Sequence, residues 1–311
     1  MAQPDPTRLS LEEFQALFDR CSNWGRWGPD DERGTLNLIT PEHTKRAAGL
    51  VREGVTVSCA LPLNTVADVE NPMPATHLML RAGDVVESIP TRSTADYLAL
   101  APHGQAHSHL DALCHVVWQG KIYNGRPASV VTSMGATKNA ITIGQDGIVT
   151  RGVLLDIPLL KGVEWLEPGT PILPDELEAA ESSKGLRVGQ GDVLLVRTGR
   201  HRRRRAHGPW DASERLAGLH YSCAPWLRER GVALLGCDGV SDFRPHGVEG
   251  VRIPMHTLTL VAMGMQLLDN QNLDDLAQAC ADRRRWEFLL TVAPLRLERG
   301  TASAVNPIAV F

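Results

Sequence analysis

Four histidines (His103, His107, His109 and His115), Gln105 and Asp111 fall within thirteen residues of the run Ala101-Pro102-His103-Gly104-Gln105-Ala106-His107-Ser108-His109-Leu110-Asp111-Ala112-Leu113-Cys114-His115. In an extended chain, side chains two apart share a face. That spacing predicts that Gln105, His107, His109 and Asp111 converge, with His115 returning after a short turn. Imidazole nitrogens and a carboxylate oxygen suit Zn²⁺ or Mn²⁺, with positions left open for water. A lone histidine in such a place is ordinarily a core residue bonded to a backbone carbonyl. Four at this density point to a ligand set instead. A divalent ion with open positions lowers the pKa of bound water from 15.7 to about 7 and can polarise a carbonyl for attack. A histidine beyond the needed ligands, with an ordinary pKa of about 6.5, can take a proton and return it to a leaving nitrogen.

Other residues of chemical interest lie outside this run. Trp118, Tyr123 and Asn124 follow it in Val116-Val117-Trp118-Gln119-Gly120-Lys121-Ile122-Tyr123-Asn124-Gly125, where an aromatic ring can stack on a substrate ring or pack a loop. His220 is a candidate pocket residue or a satisfied loop histidine. His207 and His246 sit among Gly and Pro, and nothing is assigned to them. Arg202-Arg203-Arg204-Arg205 reads as a solvated loop, with an anion-binding rim as its functional alternative.

The elements that must position these groups follow from local pattern. Ser10-Leu11-Glu12-Glu13 is a capping box ahead of Phe14, Leu17 and Phe18. Thr40-Pro41 opens a second helix expected to run through Val51. Short strands are expected at Thr56–Leu61, His77–Leu80 and Tyr97–Ala101. Val153–Ile157, Val193–Arg197 and Gly231–Gly236 read as buried strands, with helices beginning near Leu173 and Ala224 between them. Leu289–Leu295 and Pro307–Phe311 complete the list. This alternation predicts an α/β sheet with crossovers.

Composition sets the outer limits. The chain has 311 residues, 43% of them hydrophobic, and a net charge of −4. That is enough core for independent stability, and the near-neutral balance argues against disorder and against nucleic-acid binding. The longest apolar run, Thr257 to Leu268, falls short of the ~20 residues that span a bilayer. Met1 to Phe18 carries acidic residues and no apolar h-region, so no signal peptide is expected. Six scattered cysteines without a CxxC read as reduced, buried thiols of a cytoplasmic protein. No repeat or linker divides the chain. Residues 1–33 are expected to form a helix and a Trp/Gly loop packed on a single domain, 34–311.

The histidine run shares features with three hydrolase patterns. His107-x-His109-x-Asp111 resembles the HxHxDH of metallo-β-lactamases, but Ala112 stands where that motif needs histidine. The TIM-barrel amidohydrolases place HxH near the N-terminus, and here more than a hundred residues come first. The run is most similar to the HxGTHxDxPxH signature of the cyclase family, which includes bacterial kynurenine formamidases and isatin hydrolase. The match anchors on His109-Leu110-Asp111-Ala112-Leu113-Cys114-His115, with Ser108 for Thr and Leu113 for Pro. Gly152–Asp156, Gly191–Gly199, Leu235–Ser241, Pro254-Met255-His256 and Leu267–Asn270 also look like family blocks, so the similarity runs from about Gly34 to Phe311.

The resemblance implies a swivelling β/β/α domain, a mixed β-sheet backed by helices, assembled as a homodimer or homotetramer. It also implies one or two divalent ions per chain, Zn²⁺ or Mn²⁺. Carried over by position, His109 and Asp111 are metal ligands, and the family's first histidine falls on Gln105, a neutral and weaker donor. His107 occupies the motif's glycine position. His115 matches the proton shuttle. His256 and Asp269 match the distal pair of two-metal members, Asp replacing Glu with one residue of spacing difference. Trp118, Tyr123 and His220 remain the candidate substrate contacts. The expected activity is hydrolysis of a C–N bond in an amide, formamide or cyclic amide of small-molecule size. The alternatives are a biosynthetic cyclase or lactone hydrolase on the same site, or a non-catalytic binding protein.

Overall fold

The computed structural model describes residues 9–84 and 90–311, so the first eight residues of the expected N-terminal unit lie outside it. The helix Leu11–Cys21 begins as its capping box requires. Ser10 Oγ accepts from the Glu13 amide at 3.2 Å, and the Glu13 carboxylate accepts from the Ser10 amide at 2.9 Å. Phe14, Phe18 and Cys21 fall on one helical face and are buried against the segment Thr257–Met263 and the helix Cys223–Arg230. The Trp/Gly loop follows them inward: the Trp24 indole donates to Val261 O at 2.7 Å, and the Asn23 amide to Met263 O at 3.0 Å. The second helix is Pro41–Ala48, shorter than expected. Beyond Ala48 the chain continues only in tighter turns, with the amides of Leu50 and Val51 bonding back three residues.

The described residues build a nine-stranded mixed sheet. Its order is Thr56–Ser58, Ile308–Val310, Glu287–Val292, Ile148–Asp156, Val193–Arg197, Leu234–Cys237, Leu267–Asp269, His109–Asp111 and Ala302–Ala304. Four consecutive strands in the middle, Ile148–Asp156 to Leu267–Asp269, are parallel; the pairings on either side are antiparallel. Unbroken apolar runs such as Val193-Leu194-Leu195-Val196 suit parallel strands covered on both faces, and all four of these side chains are buried. Helices form the crossovers: Ile157–Lys161 and Pro174–Lys184, then Arg200–His207 and Cys223–Arg230, then Pro254–His256 running into the π-type segment Thr257–Met263. The result is the swivelling β/β/α arrangement, a mixed sheet backed by helices. Gly236 is required by the close approach of neighbouring strands, since a Cβ there would run into Leu195 and Leu268.

The arginine run departs from its expected loop. Arg200–His207 is a helix, and its side chains are held by partners far away in sequence. Arg204 pairs with Asp68 and Glu70, Arg205 with Asp274, and Arg203 with Glu167 while lying over the Trp210 ring. The start of the helix is fixed by Asp238, whose buried carboxylate accepts from the amides of Thr198, Gly199 and Arg200 and from the Thr198 hydroxyl. A carboxylate on the amide end of a helix is electrostatically favoured. All six cysteines are buried and unbridged. Among the described residues, no helix is long and apolar enough to cross a membrane.

The same helix carries His201 inward, 6% exposed. Burial, reinforced by the Arg200 charge, pushes its imidazole down to about 3. The unfolded chain takes a proton on this ring near 6.5. Between those values protons favour the unfolded state, so His201 costs up to about 1.4 kcal/mol of stability for each pH unit below that point. Urea unfolding of His201→Gln should therefore show a shallower loss of stability than wild type between about pH 6.5 and pH 4.5. Parallel losses in the two proteins would contradict this assignment.

Candidate metal centre

The sheet register assembles the site. His109 lies directly across from Asp269 on the neighbouring antiparallel strand, with Leu110 across from Leu268. Asp111 is two residues beyond His109 and shares its face of the strand. His256 arrives from the short helix that precedes Thr257–Met263. His103 comes from the irregular segment before the strand, its Nδ1 3.0 Å from Asp111 Oδ1. Two groups result, each with its donor atoms within 4.8 Å of one another: His103, His109 and Asp111, and Asp111, His256 and Asp269. Asp111 belongs to both.

Both well-buried histidines are oriented from behind. His109 Nδ1 lies 2.8 Å from the carbonyl oxygen of His107, and His256 Nδ1 lies 2.5 Å from Asp242 Oδ2. Those acceptors require a proton on Nδ1, so in the neutral rings Nε2 keeps a lone pair directed at the carboxylates. Nε2 of His109 is 3.4 Å from Asp111 Oδ1; Nε2 of His256 is 3.5 Å from Asp111 Oδ2 and 3.2 Å from Asp269 Oδ2. Both Asp111 oxygens and Asp269 Oδ2 are buried without a hydrogen bond, while Asp269 Oδ1 accepts from the Ser241 hydroxyl at 3.2 Å.

The electrostatics follow from that crowding. Burial works against charge on His109, but Asp111 and then Asp269 outweigh it and lift the imidazole to about 9. Burial likewise opposes charge on His256, and Asp269, Asp111 and Asp242 drive it well upward. Burial opposes ionisation of Asp111 too, yet His109, His103 and His256 hold its carboxyl well below the usual range. Two buried carboxylates with unsatisfied oxygens demand positive charge at the point where they meet. Imidazole Nε2 and carboxylate oxygen are donors that a divalent metal accepts, so the residues present fit such an ion.

His115 belongs to neither group. Its ring stacks on His103, centroids 3.7 Å apart, and stands edge-on to His256 at 6.4 Å. Burial pushes it down to about 4.

The remaining sequence candidates are placed elsewhere. Gln105 sits beside a cavity lined also by Leu61, Glu70 and His201, its Oε1 buried and unpartnered. His107 is buried with neither ring nitrogen bonded. The alternation that aligned these two with His109 does not extend to them, because residues 103–107 form a series of bends and the strand begins only at His109. His103, not singled out as a ligand in the sequence, thereby reaches Asp111.

Tyr123 is not at the centre. It is fully buried, its hydroxyl donates to Asp31 at 2.9 Å, and its ring covers Gly264, where a Cβ would overlap it. Trp118 packs edge-on against Phe14 and donates to Gln15 Oε1 at 3.0 Å. His220 stacks near Tyr221 and Phe243, and its Nδ1 lies 2.8 Å from the Ser222 hydroxyl. Asp242 was missed because its partner His256 lies fourteen residues away, a spacing without local meaning.

Comparison with known proteins extends these observations. The Cyclase family model matches residues 69–242, a span that holds His103, His109, Asp111, His115 and Asp242. A crystal structure of a novel cyclase is 31% identical, covering 93% of this chain and 99% of that one, with a TM-score of 0.85. At identities that bear on fold alone, isatin hydrolase A from Ralstonia solanacearum is 20% identical over 86% of this chain and 94% of that one, TM-score 0.58. A "predicted metal-dependent hydrolase" from Bacillus stearothermophilus is 15% identical over 82% and 97%, TM-score 0.53. Curated protein sequences give no match.

Three substitutions test the geometry by titration with Mn²⁺ or Zn²⁺. Asp242→Asn leaves His256 without its anionic anchor and should weaken metal binding by about 10–100-fold. His103→Ala should also weaken binding, whereas Gln105→Ala should leave it near wild type. The reverse order for the last two would return the ligand position to Gln105.

Proposed function

This chain belongs to the cyclase family, and on that premise we propose that it is a metal-dependent hydrolase. The proposed reaction is cleavage of a C–N bond in an amide, formamide or cyclic amide of small-molecule size, such as an N-formylkynurenine-like or isatin-like compound. The carrying observation is the buried Asp111–Asp269 pair faced by the Nε2 atoms of His109 and His256. The likeness to isatin hydrolases supports the choice of bond.

His103, His109, Asp111, His256 and Asp269 would hold one or two divalent ions, Zn²⁺ or Mn²⁺, with Asp111 common to both positions. When bound, such an ion supplies Lewis acidity toward a carbonyl and activation of water at neutral pH. Asp242 and the His107 carbonyl keep the two imidazoles in the tautomer that presents Nε2. Ser241 holds one Asp269 oxygen and leaves the other directed at the centre. His115, stacked on His103 and outside both ligand groups, is the base: it takes a proton from the attacking water and delivers it to the leaving nitrogen. The carbonyl carbon gains the water oxygen, the C–N bond breaks, and the nitrogen leaves protonated.

Within the same proposal the enzyme is cytoplasmic, supported by six unbridged thiols. It is a homodimer or homotetramer, supported by the exposed Leu78, Leu80, Tyr97 and Leu98 of the hairpin Thr76–Arg81 with Ala95–Ala99.

Elemental analysis of protein purified without added metal should find one or two equivalents of Zn or Mn per chain. That preparation should hydrolyse members of a panel of N-formyl arylamines and cyclic amides. His115→Ala should retain the metal and lose about 10²–10⁴-fold in turnover. Loss of the metal with that substitution would make His115 a ligand. Hydrolysis of lactones but not amides would move the reading to a lactone hydrolase, and absence of bound metal, even after soaking, to a binding protein.

A further inference from the structure

We infer that Asn270 and Arg200 are positioning residues that clamp the Gly104–His107 segment and so set the two histidines facing Asp111. This inference rests on the metal centre proposed above.

The segment between Ala101 and Ser108 has no regular secondary structure, yet it delivers His103 and leads directly into His109. Buried carbonyls in such a segment need donors from elsewhere. Asn270 and Arg200 supply them. The Asn270 amide nitrogen donates to Gly104 O at 2.7 Å and to His107 O at 3.1 Å. Arg200 Nη2 donates to Gln105 O at 3.1 Å, and its Nη1 to Asn270 Oδ1 at 2.6 Å. Three carbonyls of one four-residue stretch are therefore held by two side chains that also hold each other. Ser108 adds a fourth tie, its hydroxyl donating to Asn270 O at 2.6 Å.

The decisive bond is the one to His107 O. That same oxygen faces Nδ1 of His109 at 2.8 Å. Asn270 thus fixes the acceptor that in turn fixes the tautomer and direction of a metal-facing imidazole. Its place in the chain suits the task. Asn270 follows Asp269 and adopts φ of 54°, a left-handed conformation that asparagine tolerates better than most residues. The turn sends the Asp269 carboxylate to the centre and the Asn270 amide to the loop. Both clamp residues are buried, Asn270 fully and Arg200 to within 3%. The Arg200 charge is balanced by Glu70 at 2.6 Å, and its backbone amide is bonded to Asp238. The guanidinium is locked before it reaches the loop.

The test separates the clamp from the metal reading. Asn270→Gly keeps the left-handed backbone without strain and removes every side-chain bond. Calorimetric titration with Mn²⁺ alone should give a Kd weakened by about 10–100-fold relative to wild type. The visible spectrum of the Co²⁺-loaded variant should differ from wild type, reporting a changed ligand arrangement. Arg200→Lys keeps a charge for Glu70 but loses the fork that joins Asn270 to Gln105. It should show a smaller weakening in the same direction, and it carries the test if Asn270→Gly does not fold. If wild type binds Mn²⁺ and a folded Asn270→Gly binds it equally, with an unchanged Co²⁺ spectrum, the clamp is overturned and the metal centre stands. If wild type binds neither ion, both fall.

Discussion

The interior meeting of Asp111 and Asp269 organises this protein. Carboxylates in apolar surroundings lose their hydration, and two close together add mutual repulsion. Ordinarily such oxygens are covered by amides, as Asp238 is by the start of the Arg200–His207 helix. At Asp111 they are left bare of amide donors and face three imidazoles. The contrast between these fully buried aspartates separates a structural anion from one reserved for a cation.

Everything around the pair serves to hold that arrangement against its own repulsion. The antiparallel register places Asp269 opposite His109, and Leu110 and Leu268 between them are fully buried. The parallel strands and crossover helices bring Asp242 and His256 in from a different stretch of chain. The oriented imidazoles depend on one carboxylate and one carbonyl behind them, which makes the supporting groups as much a part of the centre as the ligands. The arginine-rich helix shows the same economy. Its guanidiniums face Asp68, Glu70 and Asp274, and Arg200 reaches the loop that leads to His109.

Legibility in the sequence tracked distance along the chain. His109 and Asp111 were visible because both sit on one short strand, where alternation holds. The capping box at Ser10 and the buried parallel strands were visible for the same reason: their causes act over three to eight residues. His103 was hidden by the bends over residues 103–107, which break the alternating pattern ahead of the strand. The helix of arginines was hidden because its ion partners lie from thirty-six to more than one hundred and thirty residues away. Asp242, Asn270 and the burial of Tyr123 against Gly264 are contacts between elements, with no local spacing to announce them. The family resemblance supplied His256 and Asp269, which no periodicity would have joined to the histidine run.

The register that sets Leu110 across from Leu268 also ties the birth of the site to the completion of the sheet. In a strand, a slip by one residue turns every side chain to the other face. A misaligned His109–Asp111 strand would therefore carry both of its site residues away from Asp269 and His256 together. Those partners lie about 160 residues apart along the chain, so the centre depends on a long-range strand pairing rather than on any local segment.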